Sequence, residues 1–201
     1  MSYRFVGRAD KNTIPITPVE TAVFDAWLKG EPAAMRRWVS SCGFKARPGQ
    51  ISLVSGADGA LARVLLGVKD HQGQWDYAGL PTSLPAGRYE IDARLDRDGA
   101  TAAATGWALG CYRFDRYKTD KKSPASGIPA LVWPANCDRA AVRRMADATA
   151  LVRDLINIPP EDMGPPELAA AARRLGKAHK ARGSIITGDA LLKQNYPTIH
   201  A

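Results

Sequence analysis

The sequence predicts an α/β protein in three parts: a small N-terminal α/β domain at residues 1–136, a long linking helix at 137–158, and the first βα elements of a truncated second α/β domain at 159–201. Three observations predict this class. Strand-like and helix-like segments alternate in the first part, as they do in α/β folds. Apolar residues recur at helical spacing throughout the second part, and a helix–strand–helix pattern fills the third.

The first strand is predicted at residues 14–19, where Pro15 and Pro18 interrupt an otherwise apolar run. Because proline cannot donate to a sheet ladder, we expect this strand to lie at an edge of the sheet or to lead into it. Thr21 has the side chain of an N-cap residue, and it favours a short helix that ends near Gly30.

A second helix and a hairpin follow. The helix is predicted to begin at Glu31-Pro32, since proline fits the first helical turn, and to end near Gly43. The turn residues at 56–59 separate a strand at 51–54 from a return strand at 60–68. This spacing is typical of a β-hairpin.

Six further elements complete the first domain. In chain order they are a helical turn at 75–80, a strand at 87–92, a turn at 96–99, a buried Ala-rich helix at 100–112, a polar surface loop at 118–129 and a strand at 130–133. Turn residues and periodicity place their boundaries.

The linking helix is predicted to begin after Asp138, which has the chemistry of an N-cap, and to end at Pro159 and Pro160. Its apolar residues form one stripe at the three-to-four spacing of a helix face. They are Val142, Met145, Ala148 or Thr149, Val152, Leu155 and Ile156.

The second domain begins with a helix whose first turn contains Pro165 and Pro166. Its apolar stripe consists of Leu168, Ala171, Ala172, Leu175 and Ala178. A short strand is predicted at 184–187 and a third helical segment at 190–192. One strand cannot make a sheet, so we expect this part to need partners that the chain does not contain.

Composition indicates an ordinary globular protein of the cytoplasm. No apolar run reaches the length of a membrane span, and the N-terminus does not have the pattern of a secretory signal. The net charge of +8 is dispersed, which favours a solvated Arg-rich surface over a nucleic-acid-binding one. The scattered Cys42, Cys111 and Cys137 predict buried free thiols.

Tests for reactive sites yield no catalytic, metal-binding or cofactor-binding residue. His71, His179 and His200 lack the spacing of metal ligands, and the glycines of the 56–59 turn are too few for a phosphate-binding loop. The carboxylates Asp154, Glu161 and Asp162 are better explained by the ends of helices.

The run at 113–122 interleaves aromatic and basic residues, a pattern that can bind nucleic acid. It also contains Asp115 and Asp120, which would repel phosphate. A helix end that runs into a solvated loop is the preferred interpretation, and a basic nucleic-acid-binding module or a non-catalytic assembly module remains the alternative.

Three segments resemble the cytosol (leucyl) aminopeptidase family. They are residues 152–165, with the wording VRDLIN through MGP; residues 188–201, with GDALL and QNYPTIHA; and residues 106–118, with GWALGCYRFDRYK. The resemblance covers most of the chain and is strongest after Asp138. Glu161 departs from the family, in which many members have asparagine.

The resemblance implies the N-terminal portion of a two-domain hydrolase that releases N-terminal amino acids from peptides. Residues 1–136 would be the accessory domain, and 159–201 the incomplete start of the metallopeptidase domain. In the family that domain binds two divalent ions, Mn or Zn, through signatures of the type FD[ST]GG and NTDAEGR. Full-length members are commonly homohexamers.

Neither signature occurs in this chain, and the nearest imitation, at 114–116, lacks the glycines. No catalytic or metal-binding residue is therefore transferred from the family. The resemblance implies that this chain alone binds no metal and is inactive. A degenerate, non-catalytic relative that ends at Ala201 is a further possibility.

Overall fold

The computed structural model describes residues 3–119 and 127–200. These form two compact units, unit 1 within Met1–Leu151 and unit 2 within Val152–Ala201. Most of the predicted loop at 118–129, and the end of the basic run at 113–122, lie outside the described residues.

Within the described part of unit 1, six strands form one sheet in the order β1-β6-β5-β2-β4-β3. The strands are β1 (Phe5–Val6), β2 (Ile14–Glu20), β3 (Ile51–Ser55), β4 (Leu61–Val68), β5 (Arg88–Ile91) and β6 (Ala130–Val132). All neighbouring pairs are parallel except β3 and β4, which form the predicted hairpin. With helices between the strands, the predicted α/β class is confirmed.

Strand β2 lies in the interior of the sheet, so its predicted edge position is wrong. It pairs with β5 through residues 14–16 and with β4 through residues 16–20. The carbonyl of Ile16 accepts from Asp92 N on the β5 side, and backbone polar groups alternate in direction along a strand. The nitrogen of Pro15 therefore points toward β4, at a position before β2 and β4 begin to pair. The nitrogen of Pro18 points to the β5 side, beyond the last residue of β2 that pairs with β5. Neither proline removes a ladder hydrogen bond.

Helices cover the two faces of this sheet. They are α1 (Phe24–Gly30), α2 (Ala33–Ser41), α3 (Gln74–Tyr77), α4 (Leu80–Ser83) and α5 (Arg97–Gly110). On one face, Tyr77, Leu80 and Trp107 of α3, α4 and α5 pack with alternate residues of β2, β4, β5 and β6. On the other, Phe24 and Val39 of α1 and α2 pack against β2, β3 and β4. Because successive side chains of a strand point to opposite faces of the sheet, the same strands contribute residues to both hydrophobic cores.

Two predicted helix starts need correction. Thr21 does not cap a helix, because its hydroxyl donates to the carbonyls of Ala46 and Val68 and ties the end of β2 to its neighbours. Residues 96–99 are not a separate turn. Asp96 is the N-cap of α5, and its Oδ1 accepts from Gly99 N at 2.7 Å.

The long helix α6 (Arg139–Asn157) begins after Asp138, whose Oδ1 accepts from Ala141 N at 2.9 Å, so the predicted cap is confirmed. Its predicted apolar stripe is only partly right. Val142 is buried as predicted, but its buried neighbours are Ala146 and Ala150, while Met145 is 55% exposed. Small side chains four residues apart let α6 approach Ala104 and Ala108 of α5 closely, and packing outweighs hydrophobicity in deciding the face.

Unit 2 is helical in its described residues. A 3-10 turn (Pro160–Asp162) leads to α7 (Pro165–Ala178), α8 (Ala190–Lys193) and α9 (Pro197–His200). The strand predicted at 184–187 does not form; these residues are in neither strand nor helix. The described part of unit 2 offers no second strand, and an isolated strand has no ladder to stabilise it.

The two N-cap carboxylates predict an acid-sensitive fold. The pKa of Asp96 is lowered mainly by the hydrogen bond from Gly99 N and further by the one from Gln72. The pKa of Asp138 is lowered mainly by the hydrogen bond from Ala141 N and further by the one from Arg97. A carboxylate whose pKa is lower in the folded state stabilises the fold at any pH above its unfolded-state pKa of about 4. This stabilisation is lost as the pH falls through the folded-state pKa. We expect Asp96→Asn/Asp138→Asn to show a smaller fall in Tm between pH 6 and pH 3, since asparagine keeps the cap acceptor. Equal falls in Tm for the wild type and the variant would contradict this.

Candidate functional site

The segment that joins α6 to α7 is built by backbone capping. The 3-10 turn follows the end of α6, and Leu168 N donates to the carbonyl of Gly164 as α7 begins. Gly164 N donates to Glu167 Oε2 at 3.0 Å. Pro165 needs no donor at the first position of the helix. Each polar group in this arrangement completes a helix end.

The three carboxylates of this segment do not assemble into a metal site. Glu161 and Asp162 lie exposed in the 3-10 turn, and Asp154 lies half-buried on α6. Among the described residues, no group of three or more His, Cys, Asp or Glu side chains could hold a metal ion. The two divalent ions that the resemblance implies therefore find no fitting ligand group among the described residues.

The histidines lie far apart in the chain, and two of them contact single carboxylates. His71 Nε2 lies 3.2 Å from Glu20 Oε1, and His200 Nε2 lies 3.3 Å from Asp189 Oδ1. His179 follows the last residue of α7, at its C-terminal end. Neither pair belongs to a group of three or more side chains that could hold a metal ion in the residues that the structure describes.

All three cysteines are free, as predicted, but the predicted burial is wrong for Cys42, which is exposed, and only partly right for Cys111 and Cys137, which are partly exposed. Its position at the end of α2 leaves Sγ 3.2 Å from Ser52 Oγ. Burial raises the pKa of the Cys111 thiol to about 11 and also raises the pKa of Cys137. The thiolate is the nucleophilic form, so Cys111 and Cys137 are poor nucleophiles at neutral pH.

The described part of the basic run forms contacts within itself. Lys118 Nζ donates to Asp115 Oδ1 at 2.6 Å, and this hydrogen bond lowers the pKa of Asp115. The guanidinium of Arg116 lies 5.5 Å from the ring centre of Tyr117, which also contacts Phe114. These pairings are formed within the run itself, as a helix end that runs into a solvated loop would form them.

A groove at the carboxyl ends of β5 and β6 was missed by sequence reasoning. Two cavities of about 510 and 260 Å³ share Glu90, Ile91, Ala93 and Arg94. Trp133 forms part of the wall of the smaller one. Ligands of open parallel sheets bind outside the carboxyl ends of strands, so the strand order would have been the signal. The groove has charges of both signs and no reactive group beyond carboxylates.

These features define a class of protein: an α/β domain built on a six-stranded, mostly parallel sheet, followed by a smaller second unit. The chain belongs to the M17 aminopeptidase family. The family's model for the M17 aminopeptidase N-terminal domain matches residues 14–129, which is more than half of the chain. The resemblance inferred from the sequence is thereby confirmed.

Relatives and solved structures agree with this assignment. A probable cytosol aminopeptidase of Bradyrhizobium is 39% identical over 40% of this chain and 17% of its own length. One of Mycobacterium bovis is 33% identical over 52% of this chain and 22% of its own. The cytosol aminopeptidase of Coxiella burnetii superposes with a TM-score of 0.76 and 36% identity, over 93% of this chain and 40% of that one.

The bottromycin maturation enzyme BotP, solved in complex with Mn, is similar over 90% of this chain and 40% of its own, with a TM-score of 0.63 and 25% identity. The chain thus spans about two fifths of these solved relatives. Its curated relatives are matched over about a fifth of their length.

Proposed function

We propose that this chain is the N-terminal portion of a metal-dependent, leucyl-type aminopeptidase that releases N-terminal amino acids from peptides by two-metal hydrolysis. One observation carries the proposal: 93% of the chain corresponds to only 40% of the Coxiella aminopeptidase. The metal and catalytic residues would belong to the rest of the full-length protein. In this proposal residues 1–136 are the accessory domain, 137–158 the linking helix and 159–201 the start of the catalytic domain.

The surface of unit 2 supports this division. Several large apolar side chains of unit 2 are 45% exposed or more: Val152, Ile156, Leu168, Leu175, Leu192, Tyr196 and Ile199. A soluble domain rarely leaves so many apolar groups in water. We infer that further chain covers them in the full-length protein.

The cofactor proposal is two divalent ions, Mn or Zn, held by the full-length enzyme. The Mn in BotP, a member of the same structural group, favours Mn. When bound, such ions activate water and polarise the scissile carbonyl. Since the described residues offer no fitting ligand group, this chain contributes the fold around the site and not the metal ligands.

The remaining proposals concern partners and location. We propose a homohexamer for the full-length protein, peptides as its substrates and the cytoplasm as its compartment, in line with the cytosol aminopeptidases among its relatives. No helix in the described part of the chain is long and apolar enough to cross a membrane. The nucleic-acid-binding alternative has no support among the similar proteins.

An aminopeptidase assay tests the proposal. We expect the 201-residue chain to hydrolyse leucyl-amide substrates with added Mn²⁺ no faster than buffer, because the groups that activate water are not in it. The full-length protein from the same reading frame, at equal concentration, is the positive control and should lose activity on chelation. Turnover by the chain alone near the full-length rate would show that the proposed site is misplaced.

A further inference from the structure

A crevice of about 450 Å³ lies in unit 2, between the end of α7 and the chain that follows it. Arg173 and Lys177, four residues apart on α7, line one side. Arg182 and Ser184 line it from the following segment. The described residues of its lining include three cations and no carboxylate.

The three cations have no partner within the described part of the chain. Among the residues that the structure describes, no ion pair, hydrogen bond or ring contact involves the side chain of Arg173, Lys177 or Arg182. Carbonyl groups at the end of a helix attract cations, but here they are already occupied. Ala181 N donates to Gly176 O at 2.8 Å, and Lys180 N donates to Lys177 O at 3.2 Å. Because these hydrogen bonds occupy the carbonyl groups at the end of α7, the carbonyls do not offset the positive charge of the crevice.

We propose that this crevice binds a small organic phosphate. Guanidinium groups bind phosphate oxygens through paired, charge-assisted hydrogen bonds, and Arg173 and Arg182 supply two of them. Lys177 adds a third charge and Ser184 a hydroxyl donor. The apolar side chain of Ile185 lines the same crevice and would contact the uncharged part of the ligand.

The shape of the crevice favours a small molecule over a nucleic acid. Its volume lies within the range of about 300–1,000 Å³ that is usual for small-ligand sites. Its cations converge on one concavity at one end of α7, whereas a nucleic acid needs charges spread along its backbone. The proposal does not depend on peptidase activity, because binding by this chain is its readout.

Calorimetric titration of the 201-residue chain at fixed salt tests it, with inorganic phosphate, phenyl phosphate and phenol as probes. We expect both phosphates to bind, phenyl phosphate more tightly, and phenol not to bind. Arg173→Gln/Lys177→Gln/Arg182→Gln should weaken phenyl phosphate binding by about tenfold or more, since charged hydrogen bonds are lost.

Arg174→Gln is the matched control. Arg174 lies on the same helix and is exposed but does not line the crevice, so its loss should change affinity by less than about twofold. Arg182→Gln, which lies beyond α7, replaces the triple variant if circular dichroism shows that the latter is unfolded. The proposal would be overturned if Arg174→Gln weakened phosphate binding as much as the triple variant, or if neither phosphate bound. It would also be overturned if a DNA oligonucleotide bound more tightly than phenyl phosphate and Arg174→Gln weakened that binding equally.

Discussion

Replacement of Trp107 by alanine is expected to lower the free energy of unfolding of unit 1 by about 3–5 kcal/mol. Trp107 is 0% exposed and lies at the centre of the core between α5 and the sheet, where its ring is 6.5 Å from that of Tyr89. Its indole N–H also donates to Tyr3 O at 3.2 Å, next to β1. The truncation therefore leaves a cavity and removes a link between α5 and the N-terminal end of the chain.

Denaturant unfolding followed by far-ultraviolet circular dichroism measures this loss without relying on tryptophan fluorescence. Trp75→Ala is the matched control, because Trp75 also lies on a helix of unit 1 but is 62% exposed. We expect this control to change stability by no more than about 0.5 kcal/mol. Comparable losses in the two variants would mean that the core is not centred on Trp107.

The position of Trp107 in a buried helix could be predicted from the sequence, but the details of that helix could not. Its Ala-rich composition predicted burial correctly, because small residues permit close packing on several sides. The start of the helix was placed too late. Asp96 followed by Gly99 has the pattern of both a turn and an N-cap, and only the chain beyond decides between them.

The buried face of α6 shows a different limit. The predicted stripe runs from Val142 through Met145 to Val152. Unit 1 buries Val142 together with Ala146 and Ala150 instead of Met145, because the alanines match the small residues of α5. A pattern along one helix carries no information about its neighbour, and the neighbour decided the outcome.

The candidate sites also differ in how far the sequence alone predicted them. The wording of the segment around Asn157 and Pro165 led to the correct family, although the family's N-terminal-domain model matches residues 14–129 and does not include this segment. The cationic crevice could not be predicted, since Arg173 and Arg182 meet only when the chain turns back after α7. That turn requires Lys180 to adopt a left-handed conformation with φ of 55°, which a lysine pattern does not indicate.

The second large effect is expected at Gly106, where alanine should lower the free energy of unfolding by about 1–3 kcal/mol or more. A Cβ atom at this position would lie 1.9 Å from the carbonyl oxygen of Gln74 and 3.1 Å from the Cβ of Tyr77. The first of these is backbone, so no side-chain rotation relieves the overlap. Helix α3 would have to move away from α5, and the buried ring of Tyr77 would move with it.

The same substitution at Gly176 provides the control, because this glycine also lies within a helix but its Cβ would meet nothing closer than 3.9 Å. Alanine there should be neutral or should stabilise α7 by about 0.5–1 kcal/mol, since glycine is the poorer helix former. Thermal unfolding followed by circular dichroism compares the two variants. A fall in Tm for Gly106→Ala alone would show that α3 and α5 touch through their backbones. If Gly106→Ala were as stable as the wild type, the close packing of α3 on α5 would be wrong, and with it the position of Trp107 one residue further on.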